Sequence, residues 1–271
     1  MPKSVTPSTN GDDIILSTSH NDEVHALGGD DTVRGYDGND TLWGDDGNNA
    51  LHGGGDNDLI YGGSGRDTIF GDAGEDTLYT GDGFNMVYGG DGNDVMYGGN
   101  GRDFLIGGSG DDKAFGGLGD ERLIGEQGND TLFGGGGLDG IQGGEGDDLL
   151  SGGAGHDHLS GGAGHDTFYY ASTSDSTYAA SDLIMDFQHG VDKIDLSALG
   201  YIGITTHAAE VGELRLVYSA HGNFTRLIDD HSDFRIVFKY GDYSTILTAS
   251  DFIFVAPAGA TVSDHHDLLG L

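Results

Sequence analysis

Acidic residues recur every nine positions along the first two thirds of the chain, each behind a group of glycines, as in GGDGNDVMYGGNGRDFLIGGSGDD over residues 89–112. Carboxylates are hard oxygen ligands of the kind that Ca²⁺ prefers, and a tight glycine turn exposes backbone carbonyl oxygens beside them. This spacing therefore predicts a series of cation sites. The predicted ligands at the sixth position of each unit are Asp22, Asp31, Asp40, Asn49, Asp58, Asp67, Asp76, Asn85, Asp94, Asp103, Asp112, Glu121, Asp130, Asp139, Asp148, Asp157 and Asp166.

An apolar residue stands two places after each of these positions, from Ile15 to Phe168, through eighteen consecutive units. Because side chains alternate along a strand, each unit is a turn followed by a strand of about three residues with one inward side chain. Two units make a coil of eighteen residues, and nine coils at about 4.8 Å give a roll about 40 Å long. The predicted fold class is all-β, a parallel β-roll capped by a C-terminal β region. A disordered glycine-rich linker would not keep the apolar residue in phase.

The unit G-G-x-G-x-D-x-U-x resembles the calcium-binding nonapeptide of RTX proteins over residues 8–169. The resemblance implies Ca²⁺ as the cofactor, held between neighbouring turns along both edges of the roll, with about sixteen ions if every turn follows the family geometry. Residues 1–170 hold 32 acids and 6 bases, a net charge of −26. An empty roll would therefore repel itself, and we expect folding and calcium binding to be one event.

The two edges of the roll differ in sequence. Acids eighteen residues apart share an edge, and the intact edge carries Asp at every turn from Asp22 to Asp166. The interrupted edge, which runs from Asp13 to Asp157, carries all the departures, at Asn49, Asn85 and Glu121. Asn is a neutral ligand and Glu is longer than Asp, so we expect weaker sites there.

Aromatic residues recur every eighteen positions at the ninth place of the unit, which points out of the roll. They would form a stripe on one face, a candidate surface for a polymer or partner, or simply stacked rings that stabilise the sheet. The stripe consists of Trp43, Tyr61, Tyr79, Tyr97, Phe115 and Phe133.

The nine-residue period stops after Phe168. The stretches DLIMDFQHGVDKIDLSALGY (182–201) and TASDFIFV (248–255) resemble the block that closes the R-modules of mannuronan epimerases and the C-terminal region of serralysin-type proteases. The resemblance implies further calcium ligands at Asp182 and Asp192, with Asp186 and Asp195 beside them, and export by a type I system. We expect an N-terminal cap with a degenerate first repeat (1–16), the roll (17–169), a C-terminal β cap (170–255) and a tail (256–271) that is part of the secretion signal.

Composition and the absence of certain motifs exclude several classes of function. The net charge of −35 argues against nucleic-acid binding, the chain has no cysteine, and no apolar run is long enough for a transmembrane helix. The start lacks the apolar region of a secretory signal peptide, and no H-E-x-x-H, G-x-S-x-G or P-loop motif occurs. We expect a secreted or cell-surface, non-enzymatic protein that folds with calcium and binds or organises a surface polymer such as an acidic exopolysaccharide. The alternatives are a self-assembling matrix protein and a membrane-active signalling protein.

Overall fold

The computed structural model describes residues 8–201, 203–205, 213–218, 224–239 and 247–254. These residues form strands and two short 3-10 helices, at Ser197–Leu199 and Ala249–Asp251. In chain order the strands are β1 (Ile14–Leu16), β2 (Glu23–His25), β3 (Thr32–Asp37), β4 (Thr41–Trp43), β5 (Ala50–Gly55), β6 (Leu59–Gly65), β7 (Thr68–Ala73), β8 (Thr77–Gly83), β9 (Met86–Asp91), β10 (Val95–Tyr97), β11 (Asn100–Gly101), β12 (Phe104–Ser109), β13 (Lys113–Leu118), β14 (Arg122–Gln127), β15 (Thr131–Gly137), β16 (Gly140–Glu145), β17 (Leu149–Gly155), β18 (His158–Ala163), β19 (Thr167–Tyr169), β20 (Asp182–Ile184), β21 (Lys193–Asp195), β22 (Gly203–Thr205), β23 (Glu213–Tyr218), β24 (Phe224–Ile228), β25 (Arg235–Lys239) and β26 (Phe252–Ile253).

The repeat folds into a parallel roll, which confirms the predicted fold class. Successive strands alternate between two sheets, so that β1, β3, β5 and β7 stack in one while β2, β4, β6 and β8 stack in the other. Paired residues within the repeat are eighteen apart, as in Ile60 beside Leu78. The roll begins at β1, which lies inside the segment predicted to be the N-terminal cap and pairs with β3.

Glycines make the turns because the backbone there takes positive φ. In one turn Gly63 has φ of 108° and Gly65 has φ of 128°, values that an L side chain rarely adopts. A Cβ on either would also strike the backbone of the coil below, at Asp45 and Gly47. The glycines at the second and fourth positions therefore allow the coils to stack closely.

The core is one apolar side chain wide per strand. The apolar residue two places after the sixth position of each unit is buried throughout the roll, from Ile15 (1% exposed) to Phe168 (0%). The buried row continues through Ile184 and Ile194 into the C-terminal region, so the roll and its cap share one core.

The C-terminal cap closes one sheet with an antiparallel unit. Strand β25 pairs in parallel with β20 and antiparallel with β24, which in turn pairs antiparallel with β23. The connection between β23 and β24, residues 219–223, lies outside the described residues, as does the tail 256–271. Phe234, Ile236 and Phe238 are all buried, because side chains at every second position of a strand point to the same side.

Candidate calcium-binding edges

Ladders of hydrogen bonds link the sixth-position side chains along both edges, with one break on the interrupted edge between Asp103 and Glu121. On the intact edge the backbone N–H of Asp58 donates to Oδ1 of Asp76 at 2.7 Å, and the N–H of Asp76 donates to Oδ1 of Asp94 at 2.8 Å. On the interrupted edge Asn49 donates in the same way to Asp67, at 2.8 Å. Each bond joins residues eighteen apart, so one carboxylate oxygen per turn fixes the stacking of the coils.

The second oxygen of these carboxylates is buried and has no hydrogen-bond partner. A buried charged oxygen without a partner is costly, so a row of them indicates a missing positive group. The orphaned atoms are Oδ2 of Asp31, Asp40, Asp58, Asp67, Asp76, Asp94, Asp103, Asp112, Asp130, Asp139, Asp148, Asp157, Asp166 and Asp182.

The glycine at the first position of each unit leaves a space in front of this oxygen. At Gly62 the point that a Cβ would occupy lies 2.5 Å from the carbonyl oxygen of Thr80, in the next coil, and 2.7 Å from Oδ2 of Asp67. The two oxygens therefore lie no more than 5.2 Å apart, within reach of a single Ca²⁺ that binds each of them at 2.3–2.6 Å. We call such a space, bounded by a sixth-position carboxylate and the first-position carbonyl of the next coil, a cradle.

Ten cradles of this kind occur in the described roll. The donor set, one carboxylate and backbone carbonyl oxygen, suits a hard cation, and the orphaned oxygens face it. The residues therefore fit Ca²⁺. Their carboxylates belong to Asp40, Asp58, Asp76, Asp94, Asp112, Asp130 and Asp148 on the intact edge and to Asp67, Asp103 and Asp139 on the interrupted edge.

At the N-terminal end the side chain of the first position fills this space. Ser17 donates its hydroxyl to the carbonyl of Gly35, and the N–H and hydroxyl of Thr18 both donate to Oδ2 of Asp22 at 2.7 Å. Ala26 is fully buried at the same position in the unit of Asp31. The structure thus places Asp22 and Asp31 in the ladders but gives neither of them a cradle.

Both ladders continue into the C-terminal cap through two of the predicted ligands. The N–H of Asp157 donates to Oδ1 of Asp182 at 3.0 Å, and the N–H of Asp166 donates to Oδ1 of Asp192 at 3.2 Å. Asp186 lies off the ladders, because its carboxylate accepts from the hydroxyl of Ser160 and from two backbone N–H groups. Asp195 likewise caps its own strand by accepting from the N–H of Ser197.

Burial raises the pKa of the ladder carboxylates strongly. For Asp58 and Asp112 desolvation is the largest cause, the backbone hydrogen bond opposes it, neighbouring ladder carboxylates add to it, and the pKa rises to about 8. The pKa of Asp76 rises to about 7 for the same leading reason. Burial, followed by the hydrogen bond and charge of Asp139, raises the pKa of Glu121 to about 9. Without a cation, folding at neutral pH therefore requires these groups either to remain charged in a buried place or to take up protons.

A second ladder on the outside of the edges was not anticipated from the sequence. The fifth-position side chain accepts from the backbone N–H of the next coil, as Asp111 does from Asn129 at 2.7 Å and Asn129 from Asp147 at 2.8 Å. This direction is opposite to that of the inner ladder, so coils that carry both ladders are joined by bonds in both directions. The recurrence of Asn and Asp at the fifth position was the available signal.

The outward aromatic residues stack face to face along the roll. Tyr61 and Tyr79 lie 5.0 Å apart with an 8° angle between their planes, and Tyr79 and Tyr97 lie 4.8 Å apart at 6°. The stack starts at His25, 4.1 Å from Trp43, and ends where Phe133 tilts 59° from Phe115. The ring faces are therefore directed at one another, and solvent reaches mainly the ring edges.

Sequence reasoning missed one buried acid in the cap. Asp251 is fully buried, accepts from the N–H of Gly190 at 3.0 Å and contacts Nδ1 of His189 at 2.9 Å. It also accepts from the N–H of Thr248 at 2.6 Å, as part of a capping box on the second 3-10 helix. The T-x-x-D spacing was the signal for this role.

Comparisons with known proteins agree with this geometry. Residues 33–254 match the family described as peptidase M10 serralysin C terminal, and residues 8–42 match the RTX calcium-binding nonapeptide repeat. Over 86 residues, 30% of the chain, it is 43% identical to the mannuronan C5-epimerase AlgE3 and 42% identical to AlgE5, both of Azotobacter vinelandii. The matches span only 4% and 8% of the length of these two relatives.

Two solved structures of Azotobacter vinelandii mannuronan C5-epimerase subunits are also similar. The solution structure of AlgE6R3 aligns with 60% of this chain and 88% of its own, at 32% identity and a TM-score of 0.33. That of AlgE6R2 aligns with 63% and 92%, at 29% identity and a TM-score of 0.36. Among the residues that the structure describes, no helix is long and apolar enough to cross a membrane.

Proposed function

The chain belongs to the peptidase M10 serralysin C-terminal family and carries RTX calcium-binding repeats, and from this premise we propose that it is a secreted protein whose β-roll folds when calcium fills its cradles. The observation that carries the proposal is the row of buried, unpartnered Oδ2 atoms. Proteins of this kind are typically exported by type I systems, and we assign the export signal to the tail 256–271.

Calcium binding is tested by counting ions and measuring folding together. We expect little β signal in circular dichroism at neutral pH in chelator, a cooperative gain of β signal at millimolar calcium, and several bound ions per chain by elemental analysis. The reason is that the buried carboxylates oppose folding until a cation neutralises them. A chain that is fully folded in chelator at neutral pH would refute the coupling.

We further propose that the loaded roll binds an acidic polysaccharide rather than acting as an enzyme. Its matched regions are the repeat and C-terminal blocks of the families, and two relatives are epimerases of mannuronan. Loading also removes most of the negative charge that would repel an acidic polymer. Co-sedimentation with polymannuronate in calcium should exceed co-sedimentation with dextran. Equal retention of both polymers would contradict acidic-polymer specificity.

Exposed apolar side chains on the interrupted edge favour a second candidate, self-association. Leu118 is 65% exposed and Leu138 58% exposed on consecutive coils, and Phe84 on the same edge is 39% exposed. Exposed leucines suit a protein partner better than a sugar. Light scattering should show larger particles in calcium, and Leu118→Ser with Leu138→Ser should abolish them. If the particles persist in this variant, the leucines are not the contact.

A further inference from the structure

We infer that the chain itself takes the place of calcium at two turns of the interrupted edge, those of Asn49 and Asn85, so that this edge holds separate ions rather than a continuous row. The inference rests on the proposed calcium function and goes beyond it. It assigns to two side chains, Asn49 and Thr80, the role of internal substitutes for a cation, while Asn85 replaces a carboxylate by a neutral amide.

At the turn of Asn49 an amide nitrogen takes the position of the second carboxylate oxygen. Nδ2 of Asn49 lies 2.8 Å from the point that a Cβ on Gly44 would occupy, and it donates to the carbonyl of Gly44 at 3.0 Å. Oδ1 accepts from the N–H of Asp31 at 3.0 Å, so the inner ladder is unbroken. The amide therefore presents a hydrogen-bond donor to a carbonyl group where an aspartate would present a second oxygen to a cation.

At the turn of Asn85 a hydroxyl fills the cradle. The first position is Thr80 instead of glycine, its side chain is fully buried, and its hydroxyl donates to the carbonyl of Gly98 in the next coil. Asn85 keeps the ladder, because its Oδ1 accepts from the N–H of Asp67 at 2.9 Å. Thr80 thus bonds directly to the type of carbonyl oxygen that bounds a cradle elsewhere, and the space has no room for an ion.

Exposed charged side chains on the interrupted edge also support the absence of an ion at the turn of Thr80 and Asn85. The fifth positions around Thr80 carry the exposed Arg66 and Arg102, and the guanidinium of Arg66 lies 4.8 Å from the ring centroid of Phe84 between them. On the intact edge the fifth positions at this height are Asn57, Glu75 and Asn93. Positive side chains therefore flank, on either side, the turn at which the divalent charge is absent.

The consequence is a defined pattern of ions. On the intact edge seven cradles follow one another in consecutive coils, from the unit of Asp40 to that of Asp148. On the interrupted edge the cradles of Asp67 and Asp103 are separated by the turn of Thr80 and Asn85. The total is therefore well below the sixteen ions that a uniform roll would hold.

The inference is tested by adding ions. Thr80→Gly with Asn85→Asp gives that coil the same residues as a cradle of the intact edge, and Asn49→Asp completes the cradle at Gly44 with one change. We expect each variant to bind one more calcium ion per chain than the parent, counted by elemental analysis after gel filtration in calcium. Asn85→Asp alone is the matched control, because Thr80 still fills the space, and it should gain none.

The outcomes separate this inference from the proposed function. If the parent binds no calcium, the proposed function fails. If the parent binds calcium but neither Asn49→Asp nor the double variant gains an ion, the cradles were already occupied and the inference is overturned. The same holds if Thr80→Gly alone lowers the number of bound ions. If the double variant does not fold, the number of calcium ions bound by Asn49→Asp alone tests the inference.

Discussion

A single methyl group placed in a cradle tests whether calcium holds the roll together. The backbone of Gly71 lies outside the left-handed region, so alanine can adopt its conformation without strain. A Cβ there would lie 2.5 Å from the carbonyl oxygen of Gly89 and closer still to Oδ2 of Asp76. Gly71→Ala therefore removes the space for one ion while leaving every ligand in the chain.

Two effects add up in this variant. An ion present at a hundred times its dissociation constant stabilises the folded state by about 2.7 kcal/mol, which is lost with the site. Forcing a methyl group into a filled space costs about 1–3 kcal/mol more. We expect the free energy of unfolding in calcium to fall by roughly 4–6 kcal/mol, a large share of the 5–15 kcal/mol typical of a domain.

Gly140→Ala is the matched control for this measurement. Gly140 also lies outside the left-handed region, and a Cβ there would meet no heavy atom within 4 Å. We expect its stability to stay within about 1 kcal/mol of the parent, with the full number of ions. Urea unfolding in calcium and elemental analysis give both quantities. If Gly71→Ala binds as many ions as Gly140→Ala and unfolds at the same urea concentration, the cradle is not a cation site.

Three further predictions concern protons, the two edges and the aromatic stack. Because the ladder pKa values in the ion-free roll lie above the ordinary value of 3.8, the folded state binds extra protons. In chelator, the stability of the folded state should be greatest below about pH 4 and should fall as the pH rises to 8. A circular dichroism signal that does not change between these pH values would contradict this. Replacing Asp76 and Asp94 by Ala should raise the calcium midpoint of folding more than replacing Asp67 and Asp103, and equal midpoints would mean that a continuous row has no advantage. Tyr79→Ser removes two stacked pairs and should cost about 1–3 kcal/mol in thermal melts in calcium without changing the ion count; an unchanged melt would show that stacking contributes nothing.

The period of nine is enough to predict most of the roll. A side chain that is apolar at the eighth position of every nine-residue unit can face inward in all units only if paired residues are eighteen apart. The pairing of Leu78 with Met96 follows from that alone. The same eighteen-residue pairing places the sixth-position acids at the two edges of the roll. Local periodicity therefore determined the fold class, the core and the ladder residues, with no long-range information needed.

The cap could not be predicted in this way, because its partners are set by packing rather than by a period. Strand β25 lies beside β20 although more than fifty residues separate them, and Thr177 bridges to Phe234. Asp186 and Asp195 show the same limit. Their sequence context resembles that of Asp182 and Asp192, yet their carboxylates are engaged by nearby N–H and hydroxyl groups.

The sequence by itself determined where each carboxylate lies, since a strict repeat fixes position along the roll. Only the tertiary structure decided which of them face a space. A cradle depends on a glycine five residues before the sixth-position carboxylate and on a carbonyl in the next coil. At Asn85 the hydroxyl of Thr80 and the carbonyl of Gly98 bond to each other, so no cradle forms there. The physical reason is that a cation site is a volume enclosed by oxygens from two coils, and one methyl or hydroxyl group from either coil is enough to fill it.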